Sequence, residues 1–214
     1  MRVAWALFDL NGTLLDPSGI GEPLGLGPEQ SAAAFDDAVT ASMAETLSGG
    51  YRPLPELVAA ALRRRAEVAG RPLRALEEAL DRTAHMPAYP EAGEALAALR
   101  ARGVRAGVLT NSPAAGAEEA LDAAGLEVDL VAGSDAVEAF KPDPRVYRHG
   151  LAKAGAEPSE ACLVAAHWWD VLGAARAGLR TAWVARKEEA LFTTVEPDLS
   201  GRDLRAAIEP LEAG

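Results

Sequence analysis

Apolar residues in this chain fall into two patterns. The first is a short unbroken run: Val3–Phe8, Arg105–Thr110, Leu130–Ala132, Ala161–Ala166 and Thr181–Val184. Runs without polar alternation suit strands buried on both faces, as in a parallel sheet. The second is helical periodicity, over Pro90–Arg102, Ala114–Ala124, Asp143–Ala154 and Asp170–Ala177. Each of these stretches stops at a glycine: Gly103, Gly125, Gly155 and Gly178. Proline inside the start and glycine past the end is the usual asymmetry of helix termini. Strands alternating with helices through short links predict an α/β fold, a doubly wound parallel sheet.

The alternation breaks between residues 17 and 87. A Gly/Pro-rich stretch is followed by helical patterns at Ser31–Ser48, Leu54–Ala69 and Leu73–Ala84, with no clear strand. This predicts an all-helical cap domain, residues 17–87, inserted into a core domain of residues 1–16 and 88–214. Arg202–Gly214 reads as a final helix. The chain shows neither an internal repeat nor a low-complexity tail.

Charge narrows the partners. The formal net charge is −11, which repels phosphate backbones and anionic membrane surfaces, so neither nucleic acid nor membrane is expected as a partner. A small anionic substrate stays open, because a few local cations can dominate a pocket. The single cysteine, Cys162, lies in an apolar run and reads as an inert core thiol. A lone cysteine fits a reducing compartment. The N-terminal apolar run is short and ends on Asp9, unlike a signal peptide. No stretch suits a bilayer span. The expected location is cytoplasmic.

Polar groups cluster at the predicted strand ends. Asp9-Leu10-Asn11-Gly12-Thr13 follows the first run, Thr110-Asn111 the second, and His167-Trp168-Trp169-Asp170 the run through Ala166. Lys141-Pro142 follows a loop, with Tyr147 six residues after the lysine. In a parallel sheet the carboxyl ends share one edge, so these groups should converge. Taken alone, an aspartate before a turn serves as nucleophile, metal ligand or helix cap.

In that order, the segments resemble the four motifs of the haloacid dehalogenase superfamily. Phe8-Asp9-Leu10-Asn11-Gly12-Thr13-Leu14 resembles the first, Thr110-Asn111 the second, Lys141-Pro142 the third and the stretch ending in Asp170 the fourth. The resemblance implies a Rossmann-like core with a cap, and a hydrolase whose nucleophile is Asp9. Asp9 would form an ester or acyl-phosphate that water then hydrolyses. Lys141 would hold Asp9 and Asp170 and keep both ionised. Leu10, Asn11, Thr13, Thr110, Asn111, Tyr147 and His167 become candidate substrate-binding residues, and Asp170 would position or activate water. By the same resemblance a homodimer is a possible assembly.

Two departures separate the branches of the family. Phosphatases of the superfamily carry an acid-base aspartate two residues after the nucleophile, where this chain has Asn11, which has no proton to exchange near neutral pH. Their fourth motif carries a Gly-Asp pair, replaced here by Ala166-His167. Both losses resemble the 2-haloacid dehalogenase branch, which needs no cofactor, since a halide leaves without a proton, although that branch usually has a bulky aromatic at the position of Asn11. The alternative is a magnesium-dependent phosphatase of small phosphorylated metabolites, with Mg²⁺ on Asp9 and Asp170. A third departure cuts the other way. The dehalogenase branch has an aromatic-Arg pair early in the cap, whose arginine receives the halide, and this chain has Phe35-Asp36. Arg52 or Arg63-Arg64-Arg65 are candidate replacements, although consecutive arginines usually form a solvated face. A divergent, non-hydrolytic member is the remaining reading. Trp168 and Trp169 are expected to pack against cap or core; His85 and His149 carry no expected role.

Overall fold

The computed structural model describes residues 1–186, 190–192 and 194–214. Six strands form one parallel sheet: β2 (Trp5–Phe8), β3 (Arg105–Thr110), β4 (Leu130–Gly133), β5 (Ala161–Ala165), β6 (Arg180–Val184) and β7 (Leu199–Gly201). Their order is β4-β3-β2-β5-β6-β7. The first apolar run divides: β1 (Arg2–Val3) leaves the main sheet and pairs with β8 (Glu212–Ala213). The tail therefore differs from the single helix expected over Arg202–Gly214. It holds one short helix, Leu204–Ile208, flanked by β7 and β8. Three-residue and two-residue strands carry too little periodicity to be read from sequence.

Alternation along the strands feeds a core on each face of the sheet. Ala6, Phe8, Val108 and Val164 point into one cluster with α4 (Ala92–Ala101) and α5 (Ala114–Ala123), which follow the cap helices α1 (Pro28–Leu47), α2 (Leu54–Val68) and α3 (Leu76–Ala84). Leu7, Leu109, Leu163 and Ala165 point into the other, with α6 (Pro144–Ala154) and α7 (Trp168–Arg176). Between β2 and β3 the chain is helical, and it enters and leaves this segment at a bridge between Leu15 and Ala88. Among the described residues no helix is long and apolar enough to cross a membrane.

Register positions the site. Phe8 pairs with Val108 on one side and Val164 on the other. Asp9, Thr110-Asn111 and Ala166-His167 consequently emerge side by side at the carboxyl edge. Asp9 sits where the strand order turns outward in both directions, the switch point at which open α/β sheets bind ligands.

Candidate active site

The β2–cap turn creates the centre of the site. Gly12 has φ +84°, a conformation side chains rarely adopt, and lets the chain reverse directly above the sheet. Its bare Cα also admits the His167 ring, since a Cβ there would lie 2.8 Å from His167 Cε1. Asp9 is 5% exposed and reaches back under this turn.

Lys141 is fully buried between two carboxylates. Its Nζ donates to Asp9 Oδ1 at 2.8 Å, to Asp170 Oδ2 at 2.5 Å and to the Leu109 carbonyl at 2.9 Å. Three bonds use all three ammonium protons. Its backbone N–H donates to Asn111 Oδ1 at 2.8 Å, tying the lysine to the end of β3. Tyr147 projects from α6 and donates to Asp170 Oδ1 at 2.7 Å. Asp170 lies in the first turn of α7, and that helix can approach Tyr147 only because residue 173 is glycine. A Cβ at Gly173 would collide with the phenol oxygen.

Burial weighs on every charge here, and neighbours decide the outcome. For Asp9, burial disfavours ionisation, but Lys141 and His167 outweigh it and hold the carboxyl well below its ordinary range. For Lys141, burial would lower the pKa, and the two carboxylates instead raise it. For Asp170, burial outweighs Lys141 and Tyr147; with the Asp9 charge it pushes the pKa up. So the two carboxylates are not equivalent, whereas the resemblance implied that Lys141 keeps both ionised: Asp9 is the strongly ionised one. Burial and the Asp170 charge raise Tyr147 well above its usual value, so it remains a donor. Replacing Tyr147 with Phe should cost about 1.5–3 kcal/mol of stability, the scale of a bond to a charged acceptor. Urea unfolding measures it, and an unchanged midpoint would show the bond contributes nothing.

The other sequence-derived candidates separate into groups. Thr13 donates to Asp9 Oδ2 at 3.0 Å and accepts from Ala166 N at 3.0 Å. His167 Nδ1 lies 3.1 Å from the same Asp9 Oδ2. Asn11 Nδ2 donates to Ser112 Oγ at 3.1 Å. Asn111 is buried, and its Nδ2 has no partner among the described residues. A small cavity of about 10 Å³ is lined by Asp9, Asn11, Thr110, Asn111, His167 and Trp169, together with cap residues. That volume holds about one water. A larger cavity of about 420 Å³ adjoins it, with His167 and Trp169 in the wall of both. Leu10, Thr13 and Tyr147 were expected to bind substrate, but all three are buried and line neither cavity. Leu10 belongs to the core, while Thr13 hydrogen-bonds Asp9 and Tyr147 hydrogen-bonds Asp170.

The tryptophans and arginines also differ from expectation. Trp168 and Trp169 line the larger cavity rather than merely packing, because α7 begins two residues before Asp170 and turns them outward. None of Arg52, Arg63, Arg64 or Arg65 lines either cavity. Arg52 faces Glu45 at 3.7 Å, and Arg64 and Arg65 pair with Asp37. Asp36 lines the larger cavity, and Phe35 the smaller. Arg186, unnoticed in the sequence, donates to the Thr13 carbonyl through Nε and Nη2 and pairs with Glu91 at 2.9 Å. It lies just beyond β6, so the strand-end argument applied to the other segments would have found it. Cys162 is fully buried and its thiol is pushed up to about 12, mainly by burial, which keeps it inert.

Residues 3–178 match the family model described as haloacid dehalogenase-like hydrolase. The chain belongs to the haloacid dehalogenase-like hydrolases. It is 32% identical over 192 residues to (S)-2-haloacid dehalogenase 1 of Pseudomonas sp. strain CBS-3, covering 84% of this chain and 83% of that protein. The crystal structure of an L-2-haloacid dehalogenase superposes with a TM-score of 0.88 at 27% identity, covering 98% of each chain. A phosphoserine phosphatase of Thermus thermophilus is 41% identical over 145 residues, which span 65% of this chain and 58% of that protein. Placed among these hydrolases, the chain is itself an enzyme of the 2-haloacid dehalogenase branch, and the non-hydrolytic reading falls away.

Proposed function

We propose that this haloacid dehalogenase-like hydrolase displaces halide from a small 2-halo carboxylate through a covalent ester on Asp9, without a metal. The observation that carries this reading is how fully the two carboxylates are engaged, with the Lys141 ammonium bridging Asp9 and Asp170. All four oxygens of the two carboxylates already accept hydrogen bonds, from Lys141, Thr13, His167 and Tyr147. Magnesium requires several free oxygen ligands. Among the described residues no group of three His, Cys, Asp or Glu side chains is placed to hold a metal. This engagement of both carboxylates supports a reaction without the ion.

Asn11 supports the same reading. Its carboxamide is neither an acid nor a base near neutral pH, and its Nδ2 donates to Ser112 Oγ. A halide leaves as a weak base and needs no proton, whereas an alkoxide does. Asn111 lines the small cavity and its Nδ2 is unpartnered, which supports a donor for the substrate's anionic end. The cap arginine is replaced by Asp36, which lines the larger cavity together with Arg186 from beyond β6.

The phosphatase reading keeps one supporting observation, the similarity to the Thermus phosphoserine phosphatase. Halide release from chloroacetate and (S)-2-chloropropionate, measured with chelator and with added magnesium beside an aryl phosphate control, decides between them. The expected result is halide release indifferent to chelator. Phosphate release that requires magnesium, without halide, would overturn the proposal in favour of the phosphatase.

A further inference from the structure

The two chemical steps at Asp9 make opposite electrostatic demands. In the first, an oxygen of Asp9 gives an electron pair to carbon and the carboxylate loses charge. In the second, water adds to Cγ and the other oxygen gains charge. Donors aimed at that other oxygen hinder the first step and assist the second.

The oxygens of Asp9 are unequally engaged. Oδ1 accepts one bond, from Lys141, and keeps a lone pair for attack. Oδ2 lies 3.0 Å from Thr13 Oγ1 and 3.1 Å from His167 Nδ1. Because Asp9 is held ionised, the ring nitrogen facing it is the protonated one. Both donors are fixed before any substrate arrives. Ala166 N–H donates to Thr13 Oγ1, which directs the hydroxyl hydrogen onto Oδ2. The His167 ring stacks on Trp169 with centroids 5.0 Å apart and lies over the bare Cα of Gly12.

We propose that Thr13 Oγ1 and His167 Nδ1 form the oxyanion hole for breakdown of the Asp9 ester. This rests on the ester reading above. In the first step Oδ1 bonds to the substrate carbon, and the halide departs with the electron pair of the broken bond. In the second, a water oxygen bonds to Cγ and the Cγ–Oδ2 π pair moves onto Oδ2, between the two donors. Collapse restores that double bond and breaks Cγ–Oδ1. The product leaves with Oδ1 as a hydroxy acid, taking one proton of the water; the other proton passes to solvent. His167, at the wall shared by both cavities, therefore belongs to hydrolysis rather than to substrate binding.

The test follows halide by rapid quench and the protein by intact mass, with (S)-2-chloropropionate as probe. His167→Phe keeps a ring against Trp169 and removes the donor. It should retain a halide burst near one equivalent per site, lose turnover by about 10²–10³-fold, and accumulate the Asp9 ester. Thr13→Val should behave alike, and Thr13→Ser should restore turnover. Should His167→Phe fail to fold, the Val/Ser pair at Thr13 decides. Burst and turnover falling together, with no ester accumulating, would overturn the oxyanion hole while leaving halide displacement intact. No halide from the unsubstituted protein would instead sink the displacement reading, and this proposal with it.

Discussion

Asp9→Asn is expected to abolish halide release, by on the order of 10⁶-fold, the scale on which a hydrolase loses rate with its covalent nucleophile. Asn keeps the shape of the side chain, and its amide oxygen can still accept from Lys141. The carboxylate lone pair that attacks carbon is gone. The amide also forfeits the charge that pairs with Lys141, so the thermal midpoint should fall, and circular dichroism at a temperature where the variant is folded separates lost stability from lost turnover. A single turnover in ¹⁸O-water adds a positive control, because water attack at Cγ leaves the label in Asp9 of the unsubstituted enzyme. Residual turnover near the original rate in the Asn variant would assign the nucleophile elsewhere.

Lys141→Met should produce the largest loss of stability, about 3–5 kcal/mol, together with loss of turnover. Removing one partner of a buried ion pair leaves the other uncompensated, and here two carboxylates remain. The pH dependence has a definite sign. Asp9 has a depressed folded pKa, so its stabilising contribution is present above its ordinary value of 3.8 and is lost as pH falls through the folded value. Lys141 has a raised pKa, so its contribution is present below 10.5 and is lost as pH rises through the folded value. Asp170, pushed up, works against both above 3.8. The stabilisation of the pair therefore spans the range between 3.8 and 10.5. In Lys141→Met the carboxylates must take up protons to stay buried, so the variant's deficit should shrink toward pH 4. Urea unfolding at pH 4.5 and pH 8 measures this, and an equal deficit at both would contradict the uncompensated-charge account.

Much of the sheet was legible because its strands are buried on both faces. Such strands must be apolar throughout, and that leaves a mark no surface strand shares. The insertion was legible by contrast, as helical patterns interrupting the alternation. The edge strand Leu199–Gly201 and the β1–β8 pair were not, because two or three residues at a sheet margin satisfy backbone groups without needing an apolar pattern. The groups that converge at the site were legible as polar residues closing apolar runs. Arg186 fits that rule as well, and lacked only a family motif to draw attention to it.

Sequence by itself determined which residues meet. A buried parallel sheet aligns its carboxyl ends, so Asp9, Asn111 and His167 had to share an edge once their strands paired. It also determined that the acid-base aspartate and the cap arginine of related enzymes are replaced by Asn11 and Asp36. What each group does was decided by the tertiary structure, because protonation, access and direction depend on neighbours distant in the chain. Burial beside Lys141 made one carboxylate strongly ionised and pushed the other up. Packing sealed Thr13 and Tyr147 away from both cavities, and the turn at Gly12 brought His167 onto Asp9 Oδ2. Those outcomes follow from distances of a few ångströms between segments up to 158 residues apart, which the local pattern of a sequence does not encode.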